Sequence, residues 1–210
     1  MGFFQGKSVL LTGGSGLLGT ELKRHGQFFA PPHRVFDILK TAQGPEVDAV
    51  VHAAAYTGVE AAETNRMECL DLNVRGTQRM LDMYRSTPFV YISTEYAHNP
   101  VNFYGLTKSL AEQLVTYHPA PYLIIRTLFK PKPWPWPKAF RDQWTLGGYL
   151  PDVAKAVYEA IDRWDGKPRL MYVGHGGRKT MYDLALETRP DVIPNSVSDI
   201  KGVKIPHDYQ

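Results

Sequence analysis

The amino-acid sequence predicts an α/β protein built on a doubly wound parallel sheet, with a reduced lobe at its C-terminal end. Short apolar runs that suit buried strands alternate with helical patterns along the chain. A glycine-rich turn follows the first of these runs, at residues 13–19. The alternation is interrupted at residues 130–137, where four of the eight residues are proline, so neither a helix nor a central strand is possible there.

Six short runs of apolar residues predict buried parallel strands, because a strand that is covered on both faces needs no polar side. In chain order they are residues 7–12, 34–37, 48–53, 89–93, 122–126 and 169–174. Five other segments carry apolar residues at helical spacing. They are residues 20–25, 61–84, 104–117, 151–164 and 180–187. The fourth of these begins with Pro151, which the first turn of a helix tolerates.

The proline-rich segment divides the chain into a predicted domain at residues 1–128 and a small lobe and tail at residues 129–210, which are interleaved with that domain. Two interpretations of residues 130–137 stand. They form a rigid surface linker in polyproline geometry, which we favour, or an aromatic-lined lip. The tail from Pro190 onward has no periodic pattern, and we expect it to be mobile.

Composition excludes several classes of protein. The 210 residues are 43% hydrophobic and 21% charged, which predicts a folded chain. The net charge of +3 is too small to indicate nucleic acid or an anionic membrane as a partner. Cys69 is the single cysteine, so no internal disulfide forms, and no Cys/His cluster has metal-site spacing. Patterns for a signal peptide, myristoylation or a membrane span are missing, so we expect a cytoplasmic protein.

The glycine-rich turn predicts a Rossmann-like site for a dinucleotide. Gly13, Gly16 and Gly19 lie between a predicted strand and a predicted helix, which is the context that gives this spacing meaning. Such glycines allow a tight turn, close approach of the backbone to a pyrophosphate, and close packing of helix on strand. Ser15 adds a hydroxyl donor. The alternative is a turn without a ligand, and no Gly-Lys-Ser/Thr follows that would make it a P-loop.

Asp37 ends the predicted strand 34–37 and lies 18 residues after Gly19. An acid at this place commonly binds the hydroxyls of the adenosine ribose and repels a 2′-phosphate, which favours NAD over NADP. Arg34 and Lys40 lie close enough in sequence to weaken that argument, and a turn or cap role for Asp37 stays equally open. The sequence therefore predicts NAD(H) or NADP(H) without choosing between them.

Tyr104 and Lys108 are four residues apart in a predicted helix and so share one face. A nearby ammonium lowers the pKa of a phenol, which predicts that Tyr104 acts as a general acid or base near neutral pH. The spacing is common by chance. It gains value because Ser93 and Thr94 end a predicted strand just before it, and strand ends are where α/β sheets bind ligands. We expect the Thr94 hydroxyl to polarise a substrate carbonyl beside Tyr104.

Several longer segments match one family pattern, namely residues 12–19, 48–60, 73–77, 91–96 and 104–112. They resemble the extended short-chain dehydrogenase/reductase superfamily, and within it the dTDP-4-dehydrorhamnose reductase branch. The resemblance spans roughly residues 7–187 and is specific over the first 128. It implies a Rossmann fold that binds NAD(P), with a C-terminal substrate lobe for a nucleotide sugar.

The resemblance also implies a reaction, in which hydride is delivered to the C4 ketone of a nucleotide-linked 4-keto-6-deoxy sugar and Tyr104 protonates the oxygen. The implied catalytic residues are Thr94, Tyr104 and Lys108. The implied cofactor-binding residues are Gly13, Ser15, Gly16, Leu17, Leu18, Gly19, Asp37, Ala53, Ala54, Ala55, Tyr56, Tyr104 and Lys108. The implied substrate-binding residues are Thr94, Glu95, Tyr96 and Tyr104. A homodimer through the helix of Tyr104 is implied as well.

Two departures from the family leave the substrate half open. The loop between Tyr96 and Tyr104 is shorter than the family's, and the region after Phe129 is cut down. One alternative is a nucleotide-sugar epimerase or dehydratase of the same superfamily, although Glu95 is followed by Tyr96 where dehydratases usually carry a second acid. Another is a non-catalytic NAD(P)-binding regulatory subunit. We favour the enzyme, because a pure binder need not keep the whole triad.

Overall fold

The computed structural model describes residues 2–208. Five parallel strands form its central sheet, and four short strands, β5 to β8, intervene in sequence before the last of them. The five are β1 (Val9–Thr12), β2 (Ala49–His52), β3 (Phe89–Thr94), β4 (Tyr122–Thr127) and β9 (Arg169–Tyr172). They lie in the order β1-β2-β3-β4-β9. The predicted α/β fold class and five of the six predicted strands are confirmed.

Helices cover both faces of this sheet. They are α1 (Leu17–Leu22), α2 (Arg66–Leu70), α3 (Gly76–Met83), α4 (Phe103–Thr116) and α5 (Leu150–Asp162), with α6 (Met181–Leu186) in the C-terminal lobe. Helices α1 and α5 pack together on one face, while α3 and α4 cover the other. This cover on two sides explains why the strands carry no polar face.

The core is divided into two layers by the sheet. Leu11 of β1 packs in the layer that contains Val157 of α5, whereas its neighbour Leu10 packs in the layer that contains Met80 of α3. All four of these side chains are fully buried. Successive side chains of a strand point to opposite faces, so each apolar run supplies both layers.

The predicted strand 34–37 is wrong. Those residues form a turn and an irregular stretch. The position beside β1 is filled earlier in the chain by a single parallel bridge from Phe29 to Leu10, in which the N–H and the carbonyl of Phe29 each make a 2.9 Å hydrogen bond to β1. Pro31 and Pro32 follow at once, and they have no N–H with which to extend the ladder.

Two predicted helices have different bounds. The helix expected over 61–84 is interrupted, because a 3₁₀ turn (Ala61–Glu63) precedes α2 and a π-helical turn (Asp71–Arg75) separates α2 from α3. Such π turns occur frequently at functional sites. The helix expected over 20–25 begins earlier, at Leu17, directly after the glycine-rich turn.

The C-terminal lobe consists of α6 and three pairs of very short strands. The pairs are β5 (Phe129–Lys130) with β8 (Gly148–Tyr149), β6 (Lys138–Phe140) with β11 (Ile193–Asn195), and β7 (Trp144–Thr145) with β10 (Lys179–Thr180). Between them, α5 and β9 return to the central sheet. The chain therefore crosses between sheet and lobe more than once.

Two expectations for this lobe are wrong. The proline-rich segment is not a surface linker, because Trp134 is 6% exposed and packs in the core of the lobe, while Trp136 is 44% exposed. The tail after Pro190 is also ordered into the fold, since it contains β11 and buries Val192 and Val197. The residues that pack against these two segments are distant in sequence, so no local pattern could predict the packing.

A buried ion pair holds α4 to the sheet. Arg126 of β4 donates to both carboxylate oxygens of Glu112 on α4, at 2.9 and 2.6 Å, and the Ser93 hydroxyl donates to the same carboxylate at 2.5 Å. The Arg126 and Glu112 side chains are only 12% and 2% exposed. Water therefore cannot replace a partner that is removed.

Replacing Glu112 with alanine should lower the free energy of unfolding by about 3–5 kcal/mol, because Arg126 would keep a buried charge without its carboxylate. The matched control is Glu159→Ala, which removes the exposed ion pair of Glu159 with Arg163 and should cost no more than about 0.5 kcal/mol. Urea denaturation of both variants measures the difference. Equal losses would contradict a special role for the buried pair.

Candidate active site

A cleft of about 550 Å³ opens at the carboxyl ends of β1 to β4. Open α/β sheets bind ligands at this edge, beside the strand where the chain order reverses. Here that strand is β1, with the Phe29 bridge on one side and β2 on the other. The predicted site residues that line the cleft are Gly13, Ser15, Gly16, Leu17, Leu18, Gly19, Ala53, Ala54, Ala55, Thr94, Tyr96, Tyr104 and Lys108.

The glycine-rich turn after β1 requires glycine at two positions. Gly13 has φ +69°, and a Cβ there would lie 2.6 Å from the backbone nitrogen of Ala54. A Cβ at Gly19 would overlap the carbonyl oxygen of Gly13. Beyond its chain neighbours, a Cβ at Gly16 would meet only that same carbonyl oxygen, at 3.2 Å. The turn is therefore tight against the protein and open toward the cleft.

Residues 53–55 follow β2 and form a second wall of the cleft. Asn73, in the π-helical turn, holds this wall in place. Its Oδ1 accepts from the Tyr56 N–H at 2.8 Å, and its Nδ2 donates to the Tyr56 carbonyl at 3.2 Å and to the Thr107 hydroxyl of α4 at 2.9 Å. Asn73 is 1% exposed. Sequence reasoning gave it no role, although it lies in one of the segments that resemble the family.

A buried polar network joins β1 and β2 beneath this wall. The Thr12 hydroxyl lies 2.7 Å from Nδ1 of His52, and the Thr77 hydroxyl lies 3.2 Å from its Nε2. Burial lowers the pKa of His52 to about 3, and the charge of Lys108 lowers it further. His52 is therefore a neutral imidazole that bridges two hydroxyls, which is a structural role.

Thr94, Tyr104 and Lys108 meet in the cleft. Thr94 ends β3, and its hydroxyl accepts from the Tyr96 N–H at 3.3 Å, which leaves its own proton to donate. Tyr104, in the first turn of α4, hydrogen-bonds with Thr94. One turn further along α4, the Lys108 ammonium donates to the Ile92 carbonyl at 2.8 Å. Strand end and helix thus supply a hydroxyl, a phenol and an amine to one space.

Burial decides the protonation of these groups. It raises the pKa of Tyr104, and the hydrogen bond with Thr94 only partly opposes it. It also lowers the pKa of Lys108 to about 7, against the attraction of Glu112. The expectation that the pKa of Tyr104 lies near neutrality is therefore wrong for the free protein. Tyr104 is held as the neutral phenol, the form that donates a proton.

Three predicted site residues lie outside the lining of the cleft: Asp37, Tyr56 and Glu95. The Asp37 carboxylate accepts from the Leu39 N–H at 2.8 Å, within its own turn. The Tyr56 hydroxyl accepts from Asn65 at 3.3 Å on the exposed side of the second wall. Their side chains are committed to the protein rather than directed at the cleft.

Glu95 points into the C-terminal lobe. Its carboxylate accepts from the Thr145 hydroxyl at 2.7 Å and from the Leu146 N–H at 2.9 Å, and it is 3% exposed. Burial raises the pKa of Glu95 to about 7, although both hydrogen bonds lower it. The family resemblance implied a substrate contact here. The structure places instead a contact that joins the end of β3 to the lobe.

Two polar groups in the wall after β4 were missed by sequence reasoning. Thr127 is 3% exposed, and its buried hydroxyl has no hydrogen-bond partner among the described residues. Thr127 pairs with Thr94 across the sheet, so this free hydroxyl lies beside the triad. Lys130 also lines the cleft, with its ammonium 5.4 Å from the ring centre of Trp136. The rule that ligands bind at strand ends, which drew attention to Thr94, applies to both.

No carboxylate of residues 2–208 lines the cleft. Among the described residues, its ionisable lining side chains are His33, Tyr96, Tyr104, Lys108 and Lys130. This lining favours an anionic ligand. Elsewhere in residues 2–208, no group of His, Cys, Asp and Glu side chains has the arrangement of a metal site. Within the same range, no helix combines the length and the apolar character that crossing a bilayer requires.

Comparison of sequences finds nucleotide-sugar enzymes among the relatives. The family model described as "Polysaccharide biosynthesis protein" matches residues 32–122. A UDP-N-acetylglucosamine 4,6-dehydratase (inverting) of Campylobacter jejuni is 32% identical over 145 residues, which are 53% of this chain and 43% of that protein. An uncharacterized membrane protein of Methanocaldococcus jannaschii is 35% identical over 144 residues, with the same coverage of 53% and 43%. The chain thus spans less than half the length of these curated relatives.

Comparison of structures finds the same fold over nearly the whole chain. A dTDP-4-dehydrorhamnose reductase of Clostridium acetobutylicum has a TM-score of 0.83 at 22% identity, covering 95% of this chain and 88% of that one. The corresponding reductase of Bacillus anthracis, in complex with NADP, has a TM-score of 0.79 at 21% identity, covering 92% and 86%.

The fold and the partial sequence similarity agree with the resemblance to the extended short-chain dehydrogenase/reductase superfamily. The chain shares its fold with two dTDP-4-dehydrorhamnose reductases, and part of its sequence is similar to a UDP-N-acetylglucosamine 4,6-dehydratase. These comparisons confirm the family resemblance that the sequence motifs indicated.

Proposed function

We propose that this protein is an NAD(P)-dependent enzyme that modifies a nucleotide sugar, and that it reduces a C4 ketone of a nucleotide-linked 4-keto-6-deoxy sugar. One observation carries the proposal: Thr94, Tyr104 and Lys108 converge on the cleft that the glycine-rich turn also lines. The kinds of nucleotide-sugar enzyme found among the relatives and structural neighbours support it.

The lining of the cleft fits a dinucleotide. Gly16 leaves the backbone open where a pyrophosphate would lie, and no carboxylate of the described residues lines the cleft to repel it. The unpaired hydroxyl of Thr127 offers a hydrogen bond close to the triad, where the nicotinamide end would lie. When bound, the reduced cofactor supplies the hydride.

The triad supplies the proton and stabilises the charge. Tyr104, held as a phenol, gives its proton to the C4 oxygen of the substrate as negative charge develops there. The Thr94 hydroxyl donates a hydrogen bond to the same oxygen. Lys108 shares a face of α4 with Tyr104, and its ammonium stabilises the phenolate that remains. Hydride on carbon and a proton on oxygen complete the alcohol.

Lys130 is the residue that we assign to the substrate's diphosphate. Its ammonium lies in the wall after β4 and donates to no carboxylate or carbonyl among the described residues. Burial lowers its pKa, and nearby Glu95 partly restores it. A phosphate group would restore the positive charge more directly, because it would be an adjacent anion.

An epimerase or dehydratase is the second candidate, favoured by the 32% identity to the Campylobacter dehydratase. One assay with keto and non-keto nucleotide sugars distinguishes a reductase, an epimerase or dehydratase, and a non-catalytic regulatory subunit. A reductase oxidises NADH or NADPH in proportion to the keto sugar. An epimerase or dehydratase converts a non-keto sugar without net cofactor use, and a regulatory subunit converts neither. Turnover without net cofactor use would overturn the reductase proposal.

Replacing Tyr104 with phenylalanine should reduce turnover by about 10²–10⁴-fold, because the proton donor is lost while the ring remains. Binding of the reduced cofactor, measured by calorimetry, should change little. Tyr117→Phe is the matched control, because Tyr117 follows the last turn of the same helix and is 85% exposed. Unchanged turnover in Tyr104→Phe would remove Tyr104 from the mechanism.

Replacing Lys130 with glutamine should raise KM for the nucleotide sugar by about tenfold or more, because a charge-assisted hydrogen bond to the diphosphate is lost. The matched control is Lys132→Gln, since Lys132 is 50% exposed and already paired with Asp152 at 3.6 Å. Initial rates at varied substrate concentration measure both. An unchanged KM in Lys130→Gln would rule out this contact.

We also propose a homodimer through α4. Leu106 and Leu110 lie one turn apart on its outer face and are 43% and 42% exposed, and Met67 of α2 is 61% exposed. These apolar side chains flank the helix that carries Tyr104. A second copy of the chain, with the same α4 face, is the partner that buries them by symmetry.

The double variant Leu106→Asp, Leu110→Asp should be monomeric at concentrations where the unchanged chain is dimeric, because charged groups would be buried unpaired in the interface. Sedimentation velocity measures the mass. Leu186→Asp is the control, since Leu186 is 38% exposed at the end of α6, in the other lobe. A monomer for the unchanged chain would contradict the dimer at once.

A further inference from the structure

We propose that residues 203–208, a segment that we name the strap, position the phenol of Tyr104 by joining the C-terminal lobe to the first turn of α4. Asn102 is the positioning residue through which the strap acts. The inference rests on the proposed function, because it concerns the proton donor of that reaction. None of residues 203–208 lines the cleft. The strap therefore acts on the position of Tyr104 and not by contact with a ligand.

One end of the strap is bound to the C-terminal lobe. The Trp144 N–H donates to the His207 carbonyl at 2.8 Å, and the Arg178 guanidinium forms an ion pair with the Asp208 carboxylate. The same guanidinium lies 4.3 Å from the ring centre of Trp144. Trp144 belongs to β7 and pairs with Thr180 of β10, so this end of the strap is held by that pair of strands.

The strap is bound to the start of α4 by Asn102. The Asn102 Nδ2 donates to the Lys204 carbonyl at 2.9 Å, while its Oδ1 accepts from the Gly105 N–H at 2.8 Å as the N-cap of α4. Asn102 is 7% exposed, so water has little access to either contact. Tyr104 lies between Asn102 and Gly105 in the chain. One buried amide therefore binds both the strap and the turn that carries Tyr104.

The strap and Tyr104 also pack against the same apolar core. Ile205 of the strap packs on the core of the lobe, and so does Tyr104. This core contains Tyr96, whose ring centre lies 6.3 Å from that of Tyr104 in an edge-to-face arrangement. The first turn of α4 fits closely here, because a Cβ at Gly105 would lie 2.6 Å from the Tyr96 carbonyl oxygen. Without the strap, the turn would be held on fewer sides.

Helix α4 has other contacts that let it form without the strap. The Glu63 carboxylate accepts from the Phe103 N–H at 2.8 Å, and the Asn102 Oδ1 caps the helix independently of its Nδ2. The ion pair of Glu112 with Arg126 holds the helix further along. Loss of the strap contact therefore shifts the first turn and leaves the fold intact. Catalysis is sensitive to such a shift, since a displacement of about 1 Å can lower the rate by about 10²-fold.

The test breaks each end of the strap separately. Asn102→Asp keeps an oxygen that caps α4 but loses the donor to the Lys204 carbonyl. A chain shortened to end at Pro206 loses the groups that bind Trp144 and Arg178. Each variant should lower kcat for the keto sugar by about tenfold or more, while KM and the affinity for reduced cofactor change by less than about threefold. Initial rates and calorimetry measure these quantities.

Combining the two changes tests whether they act through one connection. The combined variant should lose no more turnover than the more affected single variant, because both changes break the same connection. Effects that multiply would overturn it. Asn99→Asp is the matched control, since Asn99 lies three residues before Asn102, is exposed, and takes the same change in charge. It should leave kcat unchanged.

Hydrogen exchange reports on the first turn without any substrate. The amides of residues 103–106 should exchange faster in the shortened chain, whereas those of residues 111–116 should not change, because the rest of α4 keeps its contacts with the sheet. Faster exchange along the whole helix would show that the strap only supports the fold, and would overturn the inference. A rise in KM alone would overturn it too, because the strap would then act on the substrate.

The outcomes distinguish this inference from the proposed function. If the unchanged chain reduces the keto sugar and Asn102→Asp does so with the same kcat, the strap inference fails and the proposed function stands. If the unchanged chain oxidises no reduced cofactor with any keto sugar, the proposed function fails, and the inference fails with it.

Discussion

The docking of α4 against the ends of β3 and β4 is the constraint on which the site depends. Tyr104 and Lys108 lie on this helix, and Thr94 lies on the strand below it. The ion pair of Glu112 with Arg126 holds the two together. A buried ion pair of this kind adds little net stability. It does fix the position of the helix relative to the strand, because each buried charge needs its partner in place.

The polar groups around this contact are coupled through burial. Glu112 raises the pKa of Lys108 while burial lowers it to about 7, and Lys108 in turn helps to keep His52 neutral. In a medium of low dielectric constant, such charges act over several ångströms. The packing that fixes the helix therefore also sets the protonation of the groups that line the cleft, including the neutral phenol of Tyr104.

The C-terminal lobe is joined to the same strand end. Glu95 follows Thr94 directly and binds the lobe through Thr145 and Leu146. Because burial raises the pKa of Glu95 in the folded protein to about 7, its contribution to stability is complete below the unfolded pKa near 4.5 and is lost as the pH rises through 7. The hydrogen bonds of Glu95 with Thr145 and Leu146 thus join the C-terminal lobe to the strand end that carries Thr94.

Local patterns in the sequence were enough to predict part of the structure. Apolar runs predicted five strands of the sheet, the spacing of Gly13, Gly16 and Gly19 predicted the turn, and the strand end at Thr94 predicted the cleft. Only the tertiary structure decided where the Asp37 and Glu95 side chains point, because each carboxylate accepts hydrogen bonds from groups that the fold brings to it. The physical reason is that periodicity and backbone strain act between near neighbours, whereas burial and charge depend on contacts between residues far apart in the chain.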